Sequence, residues 1–404
     1  SVADDGPWLA ELVRIASERR AAGDGAGADA LLESALGLGL HDAAFDLAYA
    51  AALVDARRYA KARASIFDAL ERQPQSADLR ALLDRAFDED PRFLPSVATL
   101  DTDDLSALRS LGGGSTITLK FKKDRATIAA FKPNQTRRQS NYRAEIAAWR
   151  LCELLRCSFY VPYNRPVRFA RHDFEFLYNN GADATQQAYA ANFVDLVWQS
   201  VEGIGYLYGT EKEWIASFTQ LPIEDEKVWT PLLDQEEALA VLDTPLAKQL
   251  EPWQRNRVTA KLYPRVLEEA GALDTRSLAR QLSDVLVFDF LVGNWDRFST
   301  NPEWWGTNCQ FGAGRIISID NGAAFQRYAN DKVKDHFEQV ERFSAAFVRE
   351  LRALDEAKTL ARLFPSPSKL EREMFAQFWA QRSAVLARVD ALIEKYGESA
   401  VLVF

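Results

Sequence analysis

Two aspartates on either side of a short predicted strand constrain the fold of this chain more than any other feature. An apolar segment, VLVFDFLV, ends at Gly293; Asp296 follows three residues later, and Asn301 lies five residues further on. A predicted strand over 315–319 then leads into Asp320. Transfer of a phosphoryl group from a nucleotide needs a carboxylate near the accepting hydroxyl, and an Asn and an Asp that hold Mg²⁺ against the phosphates. Asp and Asn also dominate ordinary surface turns, so this stretch alone leaves both interpretations open.

The segment before Gly293 predicts a helix that holds this loop rigidly. Thr275 is suited to cap its start, and Gly293 is suited to end it. Between them, apolar residues at helical spacing form one stripe: Leu278, Leu282, Val285 and Leu286. Such a support suits catalysis by positioning.

A glycine-rich hairpin lies far upstream, in LGGGSTITLKFKKDRATIAAFKP. Alternating apolar and polar residues predict strands over 116–121 and 126–131, joined by a turn at KKDR. Glycines let backbone N–H groups approach an anion closely, and two hydroxyl residues after them add donors. The candidate phosphate-binding residues are Gly112, Gly113, Gly114, Ser115 and Thr116. Glycines at a domain joint are equally typical of a linker, so both interpretations stay open.

The second predicted strand ends at Lys132, and the helix that follows it is capped near Ser140 or Asn141. Lys132 could direct its ammonium group toward nucleotide phosphates, although a lysine at a strand end is ordinarily solvated. Glu145, in the first turns of the helix, is placed to pair with Lys132. Lysine, glutamate, aspartate, asparagine and aspartate, in this order, are the polar groups of a kinase active site.

Short segments in the same order resemble the motifs of a known kinase family: AAFKP, NYRAEIAAWRL, VPYNRPVRF, FDFLVGNWDRF and ISIDNGAAF. The chain is similar to the secretory-pathway casein kinases, whose family also contains the proteoglycan xylosylkinase and four-jointed kinases. A more distant similarity extends to bacterial spore-coat kinases, HipA-type kinases and phosphatidylinositol kinases. The resemblance covers the chain from about Leu111 to its C-terminus.

The resemblance implies an α+β, two-lobed atypical protein-kinase-like fold, with ATP as the nucleotide and Mg²⁺ or Mn²⁺ as the metal ion. Lys132 would contact the ATP phosphates, Glu145 would pair with it or help to hold the metal ion, and Asp296 would be the catalytic aspartate. Asn301 and Asp320 would be metal ligands. The hinge whose backbone meets adenine would consist of Phe218, Thr219, Gln220 and Leu221.

Three features depart from the pattern of the casein kinase family. Phe298 follows AspArg where these kinases usually have a histidine. Asn301 suits phosphatidylinositol and protein kinases better, because the casein-kinase-like pattern tends to have an acidic residue there. Three cysteines cannot form the disulfide framework of the secreted members, which predicts a cytoplasmic bacterial relative. Because the chain begins at Ser1, a missing N-terminal segment, and with it secretion, stays open.

The first part of the chain predicts helical repeats. A shift of 34 residues aligns small and apolar residues with one another: Ala28 with Ala62, Leu32 with Ile66, and Ala35 with Ala69. The second copy resembles the second helix of a tetratricopeptide repeat. We therefore predict a tetratricopeptide-like, α-helical region over 1–95 that docks a protein partner or substrate; an unrelated Ala-rich bundle is the alternative.

The remaining chain predicts a kinase N-lobe over 96–222 and a C-lobe over 223–404. A strand is predicted over 213–222, and helices are predicted over 335–357 and 370–396. Net charge is −9 over 404 residues, so no nucleic-acid partner is predicted. No apolar run reaches the length of a membrane span, so membrane insertion is not predicted either.

These features together predict an ATP-dependent, metal-dependent kinase. The acceptor would be a Ser or Thr hydroxyl of a protein or a hydroxyl of a sugar. A pseudokinase scaffold that binds nucleotide and presents the repeats is one alternative. A nucleotidyl transferase that moves AMP with the same metal site is another.

Overall fold

The structure is a computed structural model that describes residues 6–111, 116–137, 139–181, 194–220, 226–245, 274–298 and 308–404. The chain divides into two compact units, Ser1–Leu94 and Pro95–Phe404. The described part of the first unit is helical, and that of the second combines helices with two β-sheets. The predicted α+β class is therefore confirmed.

The first unit is built from helices joined by short turns: α1 (Gly6–Ala21), α2 (Gly25–Gly37), α3 (Ala43–Asp55), α4 (Tyr59–Arg72) and α5 (Ala77–Asp88). Helix α1 packs against α2, and α3 packs against both α4 and α5. The aligned positions of α2 and α4 are all buried: Ala28, Leu32 and Ala35 in α2, and Ala62, Ile66 and Ala69 in α4. The predicted repeat is thus a repeat of buried positions, and its tetratricopeptide class stays a prediction.

A buried ion pair closes the C-terminal end of this unit. A 3₁₀ turn, Pro91–Phe93, follows α5, and Arg63 Nη1 lies 2.7 Å from Asp90 Oδ2 just before it. The Arg63 guanidinium also lies 4.9 and 5.3 Å from the ring centroids of Phe87 and Phe93. Charge pairing and aromatic packing therefore hold α4, α5 and the turn together.

The second unit begins with a mixed β-sheet. Its described strands are β1 (Ala98–Thr99), β2 (Ala107–Ser110), β3 (Leu119–Lys123), β4 (Ala126–Pro133), β5 (Asn164–Ala170), β6 (Trp198–Val201) and β7 (Ile204–Glu213). The order is β1–β5–β7–β4–β3–β2, and β6 pairs with β7. Strands β1 and β5 are parallel, and the other neighbours are antiparallel. Phe121, Phe131 and Phe169 pack in the core of the sheet, with ring centroids 5.0 to 5.8 Å apart.

Helix α6 (Tyr142–Leu155) packs against β5 and β7. It begins at the predicted place, because the Asn141 side chain accepts hydrogen bonds from the backbone N–H groups of Arg143 and Ala144. Helix α6 also contacts helices near the C-terminus, so nearly all of its side chains are buried. A further helix, α7 (Arg171–Asn180), follows β5 and packs against β2.

A small antiparallel sheet has the strand order β10–β9–β8. Its strands are β8 (Thr219–Gln220), β9 (Cys309–Gly312) and β10 (Arg315–Ser318). The predicted strand over 213–222 is wrong in extent, since β7 ends at Glu213, where its pairing with Ala129 ends. Residues 214–218 then connect the two sheets.

Helix α8 (Glu226–Leu233) and the 3₁₀ turn Leu239–Asp243 precede the long helix α9 (Thr275–Val292). Asp274, one residue before the predicted cap, accepts a hydrogen bond from the Ser277 backbone N–H and caps α9. The predicted apolar stripe of α9 is buried. Gly293 ends the helix in the left-handed conformation (φ 65°), which favours glycine.

The C-terminal part is helical: α10 (Asp331–Glu338), α11 (Ala345–Ala353), α12 (Glu356–Leu363), α13 (Lys369–Tyr396) and α14 (Glu398–Val401). The predicted single helix over 335–357 is wrong. Its break has a non-local cause: the Phe343 N–H donates to the Val401 carbonyl and the Ala345 N–H to the Phe404 carbonyl, both at 2.7 Å. Among the described residues, no helix combines the length and apolar character needed to span a bilayer.

Candidate active site

Lys132, the second-last residue of β4, lies at the centre of a buried cluster of charges. Its side chain is fully buried, its Nζ lies 2.9 Å from Glu145 Oε1, and it also donates a hydrogen bond to Asp320 Oδ1. Burial alone lowers the pKa of a lysine, but the negative charges of Asp320 and Glu145 outweigh it and raise the pKa of Lys132. The ammonium group is therefore charged at neutral pH.

Glu145 bridges the two sides of this cluster. While Oε1 accepts from Lys132, Oε2 accepts from Lys212 Nζ and from the Asn321 backbone N–H, each at 3.0 Å. Burial alone raises the pKa of a carboxyl group, but Lys132 and Lys212 outweigh it and hold the pKa of Glu145 well below its usual range. Glu145 is thus an anion with both oxygens engaged, as its predicted pairing role requires; its predicted role as a metal ligand stays a prediction.

Asp320 follows β10 and adopts a left-handed backbone conformation, with φ 55° and ψ 54°. Its side chain is 39% exposed, so the ion cluster opens to solvent at this residue. Two residues later, a Cβ on Gly322 would lie 2.6 Å from the Gln139 carbonyl oxygen and 2.8 Å from Lys132 Nζ. Only glycine fits there, and the Gly322 carbonyl accepts from the Asn141 N–H at 3.2 Å. The loop after Asp320 is therefore held tightly against the start of α6.

Asp296 lies in the loop after α9 and is partly buried. Asn308 Nδ2 donates to the Asp296 carbonyl at 2.7 Å, and Lys332 Nζ donates to the Trp295 carbonyl at 2.9 Å. Burial, followed by the negative charge of Asp320, raises the pKa of Asp296, although Lys132 and Lys332 oppose this. Asp296 is consequently a better proton acceptor than an exposed aspartate.

Arg297 ties the two aspartate-bearing loops together. It is buried, and its Nε lies 2.8 and 2.9 Å from the two carboxylate oxygens of Asp289. Its Nη1 donates to the carbonyl groups of Asn308 (2.9 Å) and Ile319 (3.3 Å), and its Nη2 donates to Asn321 Oδ1. One side chain thus connects α9, the start of β9 and the end of β10.

Phe298 is buried. It occupies the position at which the casein kinase family usually has a histidine. Its ring packs edge-on against His336 of α10 at 5.5 Å, and His336 packs against Trp229 at 6.0 Å. Apolar packing against α8 and α10 therefore fixes this end of the loop.

The structure brings three of the predicted residues together, because Lys132 contacts both Glu145 and Asp320. Asp296 lies outside these contacts, although the charges of Asp320 and Lys132 influence its pKa. Thr116 directly precedes Ile117. The backbone N–H and carbonyl groups of Ile117 both bond to the Gln135 side chain at 2.8 Å, and Gln135 lies close to Lys132 in the sequence. Several predicted residues lie outside the described part of the chain: Gly112, Gly113, Gly114, Ser115, Leu221 and Asn301.

The described hinge residues, Phe218, Thr219 and Gln220, lie where the two sheets are joined. Phe218 is 38% exposed at the end of the connecting segment. Thr219 and Gln220 form β8 and pair with Phe311 and Gln310 of β9. Their contact with adenine stays a prediction.

Sequence reasoning missed two polar residues of the site and did not name the carboxylate that pairs with a third, Arg297. Lys212 belongs to no recognisable sequence motif. Its position facing Glu145 follows only from the register of β7 against β4. Asn321 directly follows Asp320, but no pattern in the sequence marks its side chain as a partner of Arg297. The pairing of Arg297 had one usable signal, since Asp289 is an acidic residue inside an otherwise apolar helix and a buried acid requires a partner.

The donor set suits a metal ion that is shared with a nucleotide. Asp320 Oδ1 contacts Lys132, and the partial exposure of its side chain leaves the other oxygen able to bind a cation. Within the described ranges, no group of three His, Cys, Asp or Glu side chains is arranged to hold a metal. Mg²⁺ is commonly bound by one or two carboxylates together with substrate phosphates and water, and Asp320 fits that arrangement.

Structural comparison finds solved structures that are similar to this chain. A crystal structure of the Golgi casein kinase with Mn/ADP bound matches 79% of this chain and 79% of that chain, at 14% sequence identity and a TM-score of 0.44. The structure of hydra Fam20 with sugar matches 78% of this chain and 91% of that chain, at 15% identity and a TM-score of 0.46. No protein-family model matches the sequence, and no curated protein is significantly similar to it in sequence.

Proposed function

We propose that the second unit, Pro95–Phe404, is an ATP-dependent kinase that transfers the γ-phosphoryl group of ATP to a hydroxyl group with the help of Mg²⁺ or Mn²⁺. The observation that carries the proposal is the buried ammonium of Lys132, bonded to both Glu145 and the part-exposed Asp320. A purely structural ion pair needs one carboxylate and no route to solvent. A lysine that serves nucleotide phosphates needs a fixed partner and a side that phosphates can reach. The buried Glu145 and the part-exposed Asp320 support such a role for Lys132.

Each of the three residues in the ion cluster would have a different role. Lys132 would bind the phosphates, Glu145 would hold Lys132, and Asp320 would bind the metal ion. A bound Mg²⁺ or Mn²⁺ would neutralise negative charge on the phosphates. Catalysis then rests on positioning, which the buried Arg297 supports by joining the loops of Asp296 and Asp320.

Asp296 would accept the proton of the acceptor hydroxyl as its oxygen forms the new bond to the γ-phosphorus. The bond between that phosphorus and the β–γ bridging oxygen breaks, and ADP leaves with the electron pair. The raised pKa of Asp296 suits this role, because a base works best when its pKa approaches the working pH.

The acceptor class and the role of the first unit belong to the same proposal. We propose a Ser or Thr hydroxyl of a protein, or a sugar hydroxyl, as the acceptor. The paired helices of Ser1–Leu94 would dock a protein partner or the substrate, since stacked helix pairs commonly present such surfaces.

Intact-mass spectrometry of the full chain, incubated with ATP and Mn²⁺ alone or with protein and glycan acceptors, tests the proposal. We expect a gain of phosphate on the chain or on an acceptor. Asp296→Asn should slow this transfer by about a hundredfold or more, with little change in ATP affinity, because it removes the base and keeps the shape. Asp104→Asn, at a carboxylate that is 81% exposed, is the matched control and should leave the rate unchanged.

Two results would contradict the proposal. Transfer at the parent rate by Asp296→Asn removes the assigned base. A gain of AMP indicates the nucleotidyl transferase, and nucleotide binding without any transfer to the chain or to either acceptor class indicates the pseudokinase scaffold.

A further inference from the structure

A second lysine faces the same buried glutamate as Lys132. In the register of β4 and β7, Lys132 lies opposite Thr210, and Ala130 lies opposite Lys212. Residues two apart on a strand, and residues directly opposite on neighbouring strands, project from the same face of a sheet. Lys132 and Lys212 therefore project from the face that α6 covers.

Lys212 shares Glu145 with Lys132 but is less enclosed. Its Nζ lies 3.0 Å from Glu145 Oε2, on the opposite oxygen from the one that Lys132 contacts. The Lys212 side chain is 12% exposed, whereas the side chains of Lys132 and Glu145 are fully buried. Lys212 thus lies at the edge of the cluster, where a ligand can reach it.

Among the charged groups of this cluster that contact one another, the charges balance while Asp320 contacts Lys132. Two ammonium groups, on Lys132 and Lys212, face two carboxylates, on Glu145 and Asp320. If Asp320 turns to a metal ion, two cations share the single carboxylate of Glu145. A surplus positive charge in a largely buried site favours binding of an anion.

We infer that Lys212 is a second phosphate-binding cation of the nucleotide site, which together with Lys132 takes a nucleoside diphosphate or triphosphate. This inference rests on the proposed function and adds a binding residue to it. Lys212 is also a counter-ion of Glu145, through the oxygen that Lys132 does not contact, and its partial exposure allows its ammonium group to meet a phosphate as well.

Calorimetric titration of the full chain with adenosine, ADP and ATP separates phosphate binding from a structural role. Lys212→Met should bind ADP and ATP about tenfold or more weakly, the effect of losing one charge-assisted hydrogen bond, while adenosine binding stays unchanged. Lys212→Arg keeps the charge and should recover most of the ADP and ATP affinity. Lys123→Met is the matched control, since Lys123 lies on β3 and is 49% exposed, and it should bind as the parent does.

The outcomes distinguish the inference from the proposed function. Equal affinity of Lys212→Met and the parent for ADP and ATP overturns the inference alone. An equal loss for adenosine and ADP indicates a structural role and also overturns it. Failure of the unmodified protein to bind either ADP or ATP contradicts the proposed function itself.

A second measurement on the unmodified protein covers the case in which Lys212→Met does not fold. An acyl phosphate ester of ATP transfers its acyl group to lysine amines that lie next to the bound phosphates, and peptide mass spectrometry locates the modified lysine. We expect acylation of Lys212 that excess ATP suppresses and excess adenosine suppresses much less. Acylation of Lys132 without any of Lys212 would overturn the inference.

Discussion

Arg297 offers the sharpest test of how the two aspartate loops are held. The side chain is buried, it pairs with the buried Asp289, and it donates to groups of Asn308, Ile319 and Asn321. Arg297→Met removes all of these bonds and leaves a buried carboxylate without a counter-ion. Breaking a buried pair in this way costs about 3–5 kcal/mol of unfolding free energy. Since domains are stable by about 5–15 kcal/mol, the variant should still fold but melt far earlier.

The double variant Arg297→Met, Asp289→Leu tests whether the unpaired charge of Asp289 causes the loss of stability. Both charges are then absent, so no uncompensated charge stays buried, and replacement of a buried pair by apolar side chains is often close to neutral. We therefore expect the double variant to be more stable than Arg297→Met alone. The stability of Arg297→Lys should lie between those of the parent and Arg297→Met, because a single ammonium group cannot reproduce the planar arrangement of guanidinium donors.

Urea unfolding monitored by tryptophan fluorescence is the appropriate assay, because every tryptophan except Trp8 lies in Pro95–Phe404 and the signal reports on that unit. The ordering of the variants is the critical result. A double variant that is less stable than Arg297→Met would refute the argument from the buried charge. A loss below about 1 kcal/mol in Arg297→Met would show that the arginine is not the tie between the loops.

Three further predictions follow from the site and its surroundings. Gly322→Ala should weaken ADP binding in calorimetry and cost about 1–3 kcal/mol of stability in urea, because the added Cβ meets the Gln139 carbonyl and Lys132 Nζ. Burial raises the pKa of Asp284 from 3.8 to about 6, so the folded state binds its proton more tightly, and this group's contribution to stability falls as pH rises from about 4 to about 6. Asp284→Asn should remove this pH-dependent contribution, up to about 3 kcal/mol, from the unfolding free energies measured between about pH 4 and about pH 6. Asp320→Asn should make ADP affinity nearly independent of Mn²⁺ in paired titrations, whereas the parent should bind ADP more tightly with Mn²⁺ present.

The sequence predicted the site residues that depend on local patterns. Lys132 lies next to the end of β4, Asn141 caps the next helix, and Gly293 ends the helix before Asp296; each follows from short-range preferences of the chain. Because the strand, helix and loops occur in a fixed order, the contact of Lys132 with Glu145 could be anticipated. The electrostatic influence of Asp320 on Asp296 could be anticipated only from the family resemblance.

Features that depend on distant pairing could not be predicted. Lys212 faces Glu145 because of the register between β4 and β7, which no local pattern specifies. The break between α10 and α11 likewise depends on hydrogen bonds from Phe343 and Ala345 to the C-terminal residues. Helical periodicity continues through that segment, so a prediction from periodicity alone extends one helix across it.

Under the proposed function, Asp320 would couple the binding of metal and nucleotide by changing its partner. The Asp320 carboxylate contacts the Lys132 ammonium group in this structure, so nucleotide phosphates would compete with Asp320 for that group. A cation bound to Asp320 would end this competition, and each ligand should therefore strengthen the binding of the other to the same extent. We expect this change to be a rotation of the Asp320 side chain, because the bonds of Asn321 to Glu145 and Arg297 would hold the backbone in place. Arg297 is adjacent to Asp296 in the chain, so the loop that carries the proposed base would stay fixed during the change.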